Sequence, residues 1–336
     1  MSLLMIGIDG TCVEEQTRRW LRNPRVAGVI LFARNIVDRA QLVSLNAELR
    51  RERPGLLIAV DQEGGRVRRL RKGFVQLGPL AEIGALWQLN PAFARRAARL
   101  HAELMAFDTR LTGFDFSFAP VADLAAGNEC IGDRAFHCDP EISARLVALY
   151  VERQQACGMA ATLKHYPGHG TVEADTHLAA AVDDRPMTQI AEDMLPFAAG
   201  IEAGAKAVMM AHVIAPCVDD QPAGASSRWV RILRQQLGFR GAVVCDDLAM
   251  VGSHSLGDLP QRLRAHHRAG CDLLLVCKPD QVDAALPICE EWSASKLTER
   301  RVRRLRQRAN PKPPAKADWW RQSWDTLQGL LESKPA

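Results

Sequence analysis

Long hydrophobic runs and a strong excess of one charge are both missing from this sequence of 336 residues. No apolar stretch is long enough to span a bilayer as a helix. The 43 basic and 39 acidic residues leave a net charge of +4, which is too small to indicate nucleic-acid binding. The first ten residues lack a basic region, and Asp9 interrupts their apolar run, so we expect a buried strand there and not a signal peptide. We therefore expect neither a membrane nor a nucleic acid as a partner.

Paired cysteines and a dinucleotide-binding fingerprint are missing as well. The nine cysteines contain no Cys-x-x-Cys pair, and an odd number of scattered cysteines does not suggest a disulfide framework or a zinc site. Free thiols persist in a reducing compartment, so we expect a cytoplasmic protein. No Gly-x-Gly-x-x-Gly follows the first predicted strand, which leaves a bound dinucleotide without support.

What the chain does contain is a regular alternation of short apolar runs with helical patterns. The eight predicted strands are Leu4–Asp9, Ala27–Phe32, Leu56–Asp61, Phe114–Asp123, Met159–Lys164, Ala207–His212, Ala242–Asp246 and Asp272–Cys277. Most of these runs are continuously apolar, which is typical of parallel strands buried on both faces. Amphipathic segments between them, such as Pro91–Leu111 and Gln189–Ala203, predict crossover helices. The alternation indicates an α/β fold with a parallel sheet and right-handed crossovers.

The number of strands and the residues at their ends favour a closed (β/α)₈ TIM barrel over an open sheet. The polar strand ends are Asp9, Asp61, Asp123, Lys164, His212 and Asp246. A barrel brings all such ends to its carboxyl-terminal face, where the active sites of this fold lie, whereas an open sheet would spread them along an edge. We expect residues 1–295 to form this single catalytic domain.

The C-terminal residues 296–336 differ in composition and predict a helical extension. A basic stretch, Lys296–Arg308, is followed by a Pro/Lys-rich break and then by a segment with helical spacing of apolar residues. The apolar stripe of that last segment consists of Trp320, Trp324, Leu327 and Leu331. Such a stripe has to be buried, and packing on the barrel is favoured over packing on a partner chain. Both a monomer and a homodimer are compatible with this tail.

The strongest candidate for chemistry is the segment Lys164–His177, which directly follows an apolar predicted strand. It begins Lys-His-Tyr-Pro-Gly-His-Gly, and the proline and glycines prevent a regular helix. The strand therefore delivers Lys164 and His165 to its carboxyl end. A glycine-containing loop then carries the Asp-x-His pair Asp175 and His177. Loops on a rigid scaffold are where catalytic groups tend to sit.

Other strand ends and loops carry groups suited to a polar ligand. Asp61 begins the sequence Asp-Gln-Glu-Gly-Gly-Arg, in which the carboxylate can accept paired hydroxyls and arginines offer forked donors. Asp246 and Asp247 end another apolar strand. Adjacent strand residues point to opposite sides, so one carboxylate can face the barrel mouth while the other turns to the local backbone or a cation. A carboxylate at such a position can act as a base, a metal ligand or a nucleophile.

Together these segments resemble glycoside hydrolase family three, and most closely its single-domain bacterial β-N-acetylhexosaminidases. The matching segments are Asp61–Val67, Ile131–Phe136, Lys164–Gly170, Asp175–His177, Ala211–Val213 and Asp246–Met250. The resemblance implies retaining hydrolysis of N-acetylglucosamine β-linked to 1,6-anhydro-N-acetylmuramic acid, with or without a stem peptide. It also implies that no metal and no organic cofactor are needed. A β-glucosidase-like enzyme with another sugar preference is the alternative within the family.

The resemblance further implies roles for individual residues. It makes Asp246 the nucleophile, His177 the general acid/base and Asp175 the partner of that histidine. The residues that would bind the N-acetylglucosamine unit are Asp61, Arg69, Arg134, Lys164 and His165. Retaining glycosidases usually employ two carboxylates, so a histidine acid/base departs from that template. A histidine titrates near neutral pH and can protonate the leaving oxygen and then deprotonate water.

The residues alone leave other functions open. The set His165, His169, Asp175 and His177 could bind a metal in a metal-dependent hydrolase, although the intervening Pro167 and Gly168 break helical spacing. A non-catalytic sugar-binding barrel could retain Asp61, Arg134 and Lys164 alone. A phosphate-handling barrel would require a glycine-rich loop near its last two strands, and the segment after Cys277 has none.

Overall fold

Eight parallel strands form the centre of the molecule. The computed structural model describes residues 3–172, 181–293, 295–306 and 319–332. The strands are β1 (Leu3–Gly7), β2 (Val26–Leu31), β3 (Leu57–Val60), β4 (Phe116–Ser117), β5 (Thr162–Tyr166), β6 (Ala207–Met210), β7 (Ala242–Cys245) and β8 (Leu273–Val276). Their spatial order is β4-β3-β2-β1-β8-β7-β6-β5, and each neighbouring pair is parallel. All eight predicted strands are therefore present.

Backbone hydrogen bonds join the two ends of this sheet into a barrel. The Thr162 N–H donates to the Ala119 carbonyl at 2.9 Å, and the Ala122 N–H donates to the Lys164 carbonyl at 2.8 Å. Val121 and Lys164 also form a parallel bridge. The fourth strand is regular only over Phe116–Ser117, much shorter than predicted, because Pro120 has no N–H to contribute to a ladder. The chain beyond the proline still runs along β5, so the (β/α)₈ TIM barrel is confirmed.

Helices surround the barrel. The α-helices within the described residues are α1 (Glu15–Leu21), α2 (Arg39–Glu52), α3 (Leu80–Leu89), α4 (Pro91–Arg110), α5 (Pro140–Ala156), α6 (Met187–Asp193), α7 (Leu195–Glu202), α8 (Ser227–Gln235), α9 (Leu259–Ala269), α10 (Val282–Glu290), α11 (Lys296–Arg303) and α12 (Trp319–Glu332). The single helix predicted over Gln189–Ala203 is in fact two, α6 and α7. Pro196 lies in the first turn of α7, where its missing N–H is tolerated, but it could not continue α6 without losing a hydrogen bond.

The strand residues form the core, as their continuous apolar runs predict. Every residue of β1, β3, β6, β7 and β8 is buried, with bulky branched side chains such as Ile6, Ile58 and Val243 fully enclosed. Truncating one such side chain to alanine costs about 2–5 kcal/mol in proteins generally, because a cavity replaces it. This core makes the strand ends a rigid platform for the groups that follow them.

The tail helices pack on the barrel. At the amino-terminal end of β8, the Asp272 carboxylate accepts from Thr298 Oγ1 of α11 at 2.9 Å and from Arg301 Nη1 at 3.2 Å. Helix α12 packs on α4, with the rings of Trp319 and Phe107 4.7 Å apart. Leu327 is fully buried, but Trp320 is 42% exposed, so its predicted burial within the stripe is wrong. The boundary near residue 295 between a catalytic domain and its extension stays a prediction.

Candidate active site

The carboxyl ends of the strands surround a polar pocket of about 320 Å³. Six of the predicted site residues line it: Asp61, Arg69, Arg134, Lys164, His165 and Asp246. The other two, Asp175 and His177, lie outside the described residues. Asp9 follows β1 at the same end of the barrel, but its side chain is largely exposed and faces Arg34 at 3.9 Å, so it does not contribute to the pocket. Parallel strands thus bring predicted site residues that are up to 185 positions apart in sequence, from Asp61 to Asp246, into one pocket.

Lys164 is the centre of an ion-pair network in this pocket. Its Nζ lies 3.0 Å from Asp61 Oδ1 and 2.6 Å from Glu63 Oε1. Burial lowers the pKa of Lys164, but the charges of Asp61 and Glu63 outweigh that effect and raise it above its usual value. The amine is therefore fully protonated at neutral pH. Two of its three N–H groups point at carboxylates, and the third is available to a ligand.

Glu63 extends the network to Arg134 and was not predicted as a site residue. Arg134 Nε donates to Glu63 Oε2 at 2.8 Å and Nη2 donates to Oε1 at 2.9 Å, the bidentate arrangement that suits these groups. Burial raises the pKa of Glu63, but the charges of Arg134 and Lys164 outweigh it and hold that pKa far below its usual range. Glu63 lies two residues after Asp61, so the period-two alternation of an extended chain could have indicated that both face the same side.

A second buried carboxylate, Asp123, organises the turn after β5. Its oxygens accept from the backbone N–H of His165 at 3.0 Å and of His169 at 2.9 Å. The His165 ring contributes a third contact, with Nδ1 2.8 Å from Asp123 Oδ2. Asp123 was predicted only as a polar strand end, because nothing in the sequence links it to a segment 42 residues later. The arrangement fixes the His165 ring so that Nε2 is the nitrogen left for a ligand.

His169 is held by a loop other than its own. Its ring Nδ1 lies 3.2 Å from Asn128 Nδ2, and the same amide donates to the His169 carbonyl at 2.9 Å. Burial lowers the pKa of His169 to about 4, so its ring is neutral at physiological pH. Asn128 belongs to the connection between β4 and α5, and within its own loop the His169 carbonyl also accepts from the Val172 N–H at 3.3 Å.

The two carboxylates after β7 take different orientations, as the alternation of an extended chain predicts. Asp247 Oδ1 accepts from the backbone N–H of Ala249 at 3.1 Å and of Cys277 at 3.2 Å. Asp246 Oδ1 accepts from the Asp247 N–H at 2.8 Å, and no described residue donates to Oδ2. Burial raises the pKa of Asp246, but the nearby His165, the Asp247 N–H and Lys164 outweigh it and lower that pKa. Asp246 is therefore an ionised carboxylate with one oxygen open to the pocket.

His212 lies beside this carboxylate. Its Nε2 is 3.1 Å from the Asp247 carbonyl, and its ring meets that of His266 edge to face at 5.4 Å. Burial lowers the pKa of His212, which keeps the ring neutral. His212, which was predicted as a polar strand end, also lines the pocket.

Two arginines form the rim of the pocket. Arg69 Nη2 lies 3.8 Å from Asp61 Oδ2, and its guanidinium lies 5.9 Å from the centre of the Phe32 ring. Arg66 donates to the Glu129 carbonyl at 3.2 Å and faces Asp133 at 3.6 Å. Arg66 was not predicted as a site residue, although it follows the Gly-Gly turn of the Asp61 segment. The rim can therefore offer donors to groups that extend beyond the buried part of the pocket.

The arrangement suits a neutral, hydroxyl-rich ligand placed over an anionic carboxylate. Asp61, Lys164 and Arg134 offer acceptors and donors, and Asp246 offers an ionised carboxylate oxygen. Within the described residues, no group of three or more His, Cys, Asp or Glu side chains is arranged to bind a metal ion. Two of the four residues of the metal-site hypothesis lie outside that part of the chain. No helix in residues 3–172, 181–293, 295–306 and 319–332 is long and apolar enough to cross a membrane.

Comparison with known sequences finds the family that the motifs suggest. Residues 2–309 match the glycosyl hydrolase family 3 N terminal domain, so the match extends beyond the predicted domain boundary at residue 295. The chain is 53% identical over 287 residues to the Beta-hexosaminidase of Stenotrophomonas maltophilia (strain R551-3), covering 84% of this chain and 86% of that protein. The Beta-hexosaminidase of Xanthomonas oryzae pv. oryzae (strain MAFF 311018) is also 53% identical over 287 residues, with the same coverage of 84% and 86%.

Solved structures share the fold. NagZ from Neisseria gonorrhoeae in complex with N-trifluoroacetyl-D-glucosamine is 35% identical and superposes with a TM-score of 0.89 over 98% of both chains. A glycoside hydrolase family 3 β-N-acetylglucosaminidase from Paenibacillus sp. str. FPU-7 is 30% identical with a TM-score of 0.87, covering 98% of this chain and 66% of that one. By its sequence, its barrel and its strand-end motifs, this chain belongs to glycosyl hydrolase family 3.

Proposed function

We propose that this protein is a β-N-acetylhexosaminidase that releases terminal β-linked N-acetylglucosamine from peptidoglycan fragments with retention. Family membership makes it a glycoside hydrolase, and the Beta-hexosaminidase relatives at 53% identity support the hexosaminide preference. The substrate would be N-acetylglucosamine linked to 1,6-anhydro-N-acetylmuramic acid, with or without a stem peptide. Such a small molecule would be processed in the cytoplasm during cell-wall recycling.

The observation that carries the proposal is the open oxygen of Asp246 at the base of the pocket. The Asp247 N–H holds Oδ1 at 2.8 Å, which leaves Oδ2 free to attack the anomeric carbon. A nucleophile must be ionised, and the lowered pKa of Asp246 meets that need. Attack breaks the bond to the leaving sugar and forms a glycosyl–aspartate ester, which water then hydrolyses. Two inversions at the same carbon give overall retention.

The other polar groups that line the pocket would hold the N-acetylglucosamine unit. Asp61 can accept hydroxyl hydrogens while Lys164 and Arg134 donate to sugar oxygens. His165, fixed by Asp123 at 2.8 Å, presents a defined nitrogen to the sugar, and Arg69 stands at the pocket rim. The complex of Neisseria gonorrhoeae NagZ with N-trifluoroacetyl-D-glucosamine supports recognition of this sugar class.

A proton must reach the leaving oxygen and later leave the attacking water. We assign this work to His177, with Asp175 as its partner. Both residues lie outside the described part of the chain, so their roles rest on the Asp-x-His motif. A histidine in this role would operate near neutral pH, where both of its protonation states are populated.

Hydrolysis of a chromogenic N-acetyl-β-glucosaminide by the wild type and by Asp246→Ala tests the proposal, with chelator present in both assays. We expect strong wild-type activity and a loss of about a thousandfold or more in the variant, because the covalent step is removed. A mechanism-based fluorinated glycoside should label the Asp246 peptide, as read by mass spectrometry. Activity that persists in the variant would move the nucleophile to another residue, with Asp247 the first candidate. Activity lost to chelator would point to a metal.

A further inference from the structure

The two buried cations of the sugar pocket, Lys164 and Arg134, both contact one carboxylate, Glu63. Glu63 Oε1 accepts from Lys164 Nζ at 2.6 Å and from Arg134 Nη2 at 2.9 Å, so these two nitrogens are no more than about 5.5 Å apart. Glu63, Lys164 and Arg134 are only 2%, 2% and 9% exposed. Two cations this close and this poorly hydrated repel each other strongly, and the negative charge of the Glu63 carboxylate between them offsets that repulsion.

We propose that Glu63 is a positioning and specificity-determining residue of the sugar pocket, and this rests on the proposed function. It fixes the separation of the Lys164 ammonium and the Arg134 guanidinium, and its charge makes the pocket select a neutral sugar over an anion.

The geometry leaves few donors free, and Glu63 decides which ones they are. Arg134 uses Nε and one Nη2 hydrogen on Glu63, and Nη1 donates to the Cys130 carbonyl at 3.1 Å. Two of its five N–H groups then have no partner among the described residues. Lys164, bonded to Asp61 at 3.0 Å and to Glu63, retains one. Three donors fixed in this way match a sugar that offers several neutral oxygens.

The charge balance of the pocket gives Glu63 its second effect. With Glu63 ionised, Asp61 and Glu63 together offset Lys164 and Arg134, and Arg69 adds a positive charge at the rim. Without the Glu63 charge, three cations would face the single carboxylate of Asp61 on this side of the pocket. A small anion such as sulfate would then find unneutralised donors and should bind where the sugar binds.

The test compares the wild type with E63Q on a neutral N-acetyl-β-glucosaminide, with inorganic sulfate as the anionic probe. Glutamine keeps the shape, but its amide nitrogen cannot accept, so one cation loses its partner. We expect KM to rise about tenfold or more with a smaller change in kcat, as for the loss of a charged hydrogen bond used in binding. Sulfate should inhibit E63Q competitively at concentrations that leave the wild type unaffected.

E63D separates the two effects and remains informative if E63Q folds poorly. Aspartate retains the charge but is one methylene shorter, so it cannot reach both cations in the same geometry. We expect E63D to have a raised KM and to be as insensitive to sulfate as the wild type. An E63D variant with the KM of the wild type would contradict the positioning role.

Asp272 provides a matched control on the opposite face of the barrel. It is also a buried carboxylate between two arginines, 2.7 Å from Arg234 Nη2 and 3.2 Å from Arg301 Nη1. D272N should lower the melting temperature without raising KM and without sulfate inhibition. If D272N raised KM as much as E63Q does, the effect of E63Q would be general destabilisation and the inference would be wrong.

Binding of free N-acetylglucosamine, measured by calorimetry, separates the failure of this inference from that of the proposed function. Affinity in the wild type that is lost in E63Q supports the inference even if hydrolysis proves slow. A wild type that hydrolyses the chromogenic glycoside and binds N-acetylglucosamine, with an E63Q variant that does both within twofold, overturns the role of Glu63 alone. A wild type that neither hydrolyses the glycoside nor binds N-acetylglucosamine overturns both the inference and the proposed function.

Discussion

Gly170 shows how closely the turn after β5 packs against the rest of the barrel mouth. A Cβ built on Gly170 would lie 1.7 Å from the Leu124 carbonyl oxygen, which is backbone and cannot move aside cheaply. The Gly170 carbonyl in turn accepts from the Asn128 N–H at 3.3 Å. A glycine is therefore required at position 170, because the backbone of the turn passes so close to that of Leu124. The same close approach of the two segments brings His169 beside Asn128.

We expect Gly170→Ala to displace this turn and to lower kcat/KM about tenfold or more. The turn contains His169, which shares the Asp123 carboxylate with the pocket residue His165, so a displaced turn should disturb the position of His165. The measurement is steady-state hydrolysis of the chromogenic glycoside together with a melting curve. Gly55→Ala is the control, since a Cβ there meets nothing within 4 Å. Equal activity in both variants would mean that the turn tolerates a shift without effect on the site.

At the residue scale, the sequence predicted strand-end groups but not the partners that position them. Asp61, Lys164 and Asp246 could be named because each ends an apolar run, and parallel strands must bring such ends together. The contacts of Glu63 with Arg134 and of Asp123 with His165 could not be predicted. They join segments 71 and 42 residues apart, and nothing in a single sequence specifies such pairings.

At the element scale, the periodicity of apolar residues predicted every barrel strand and located the tail helix. The prediction was wrong where proline acts on the backbone, because Pro196 separates α6 from α7 and Pro120 shortens β4. It was also wrong for Trp320, because helical spacing identifies an apolar stripe but not its edges. The structure buries Leu327, as predicted, together with Leu330, which was not predicted, and leaves Trp320 largely exposed.

Helix α12 should therefore depend on Trp319 and not on Trp320. The Trp319 ring packs on Phe107 of α4 with 4.7 Å between centroids, and such aromatic contacts contribute about 0.5–1.5 kcal/mol beyond their buried area. We expect Trp319→Ala to accelerate amide hydrogen exchange in α12 while hydrolysis of the glycoside stays unchanged.

Trp320→Ala is the matched control, because that side chain is 42% exposed. Its α12 amides should exchange at the wild-type rate. Equal acceleration in the two variants would contradict the distinction between the two tryptophans, and no acceleration in either would show that the leucines alone hold the helix. A loss of activity in Trp319→Ala would instead connect the tail to the pocket.

At the scale of the whole molecule, the protein contains buried histidines that do not line the pocket. His101 is enclosed between the Tyr150 hydroxyl at 3.0 Å and the Gly78 carbonyl at 3.1 Å. His266 is fully buried, with Nδ1 2.9 Å from the Arg262 carbonyl. Burial lowers the pKa of His101 to about 4 and that of His266 to about 3. In the unfolded chain, both would titrate at about 6.5.

This difference makes the fold sensitive to mild acid. Between about pH 6 and pH 4.5 the unfolded chain binds protons at these two histidines that the folded protein does not. The free energy of unfolding therefore falls as the pH falls, by about 1.4 kcal/mol per pH unit for each histidine. The stability is fully present above about pH 6.5 and is lost progressively below it.

Replacing His266 by glutamine should remove one of these two contributions. Urea unfolding measured at several pH values between about 6 and 4.5 should give a slope for His266→Gln that is smaller by about 1.4 kcal/mol per pH unit than that of the wild type. The variant would be less stable at pH 7 if its packing is poorer. The slope of the unfolding free energy against pH, however, depends only on the difference in bound protons between the unfolded and folded states. If His266→Gln retained the full wild-type slope, His266 would already be protonated in the folded protein, and its buried ring would need an acid partner that the described residues do not provide.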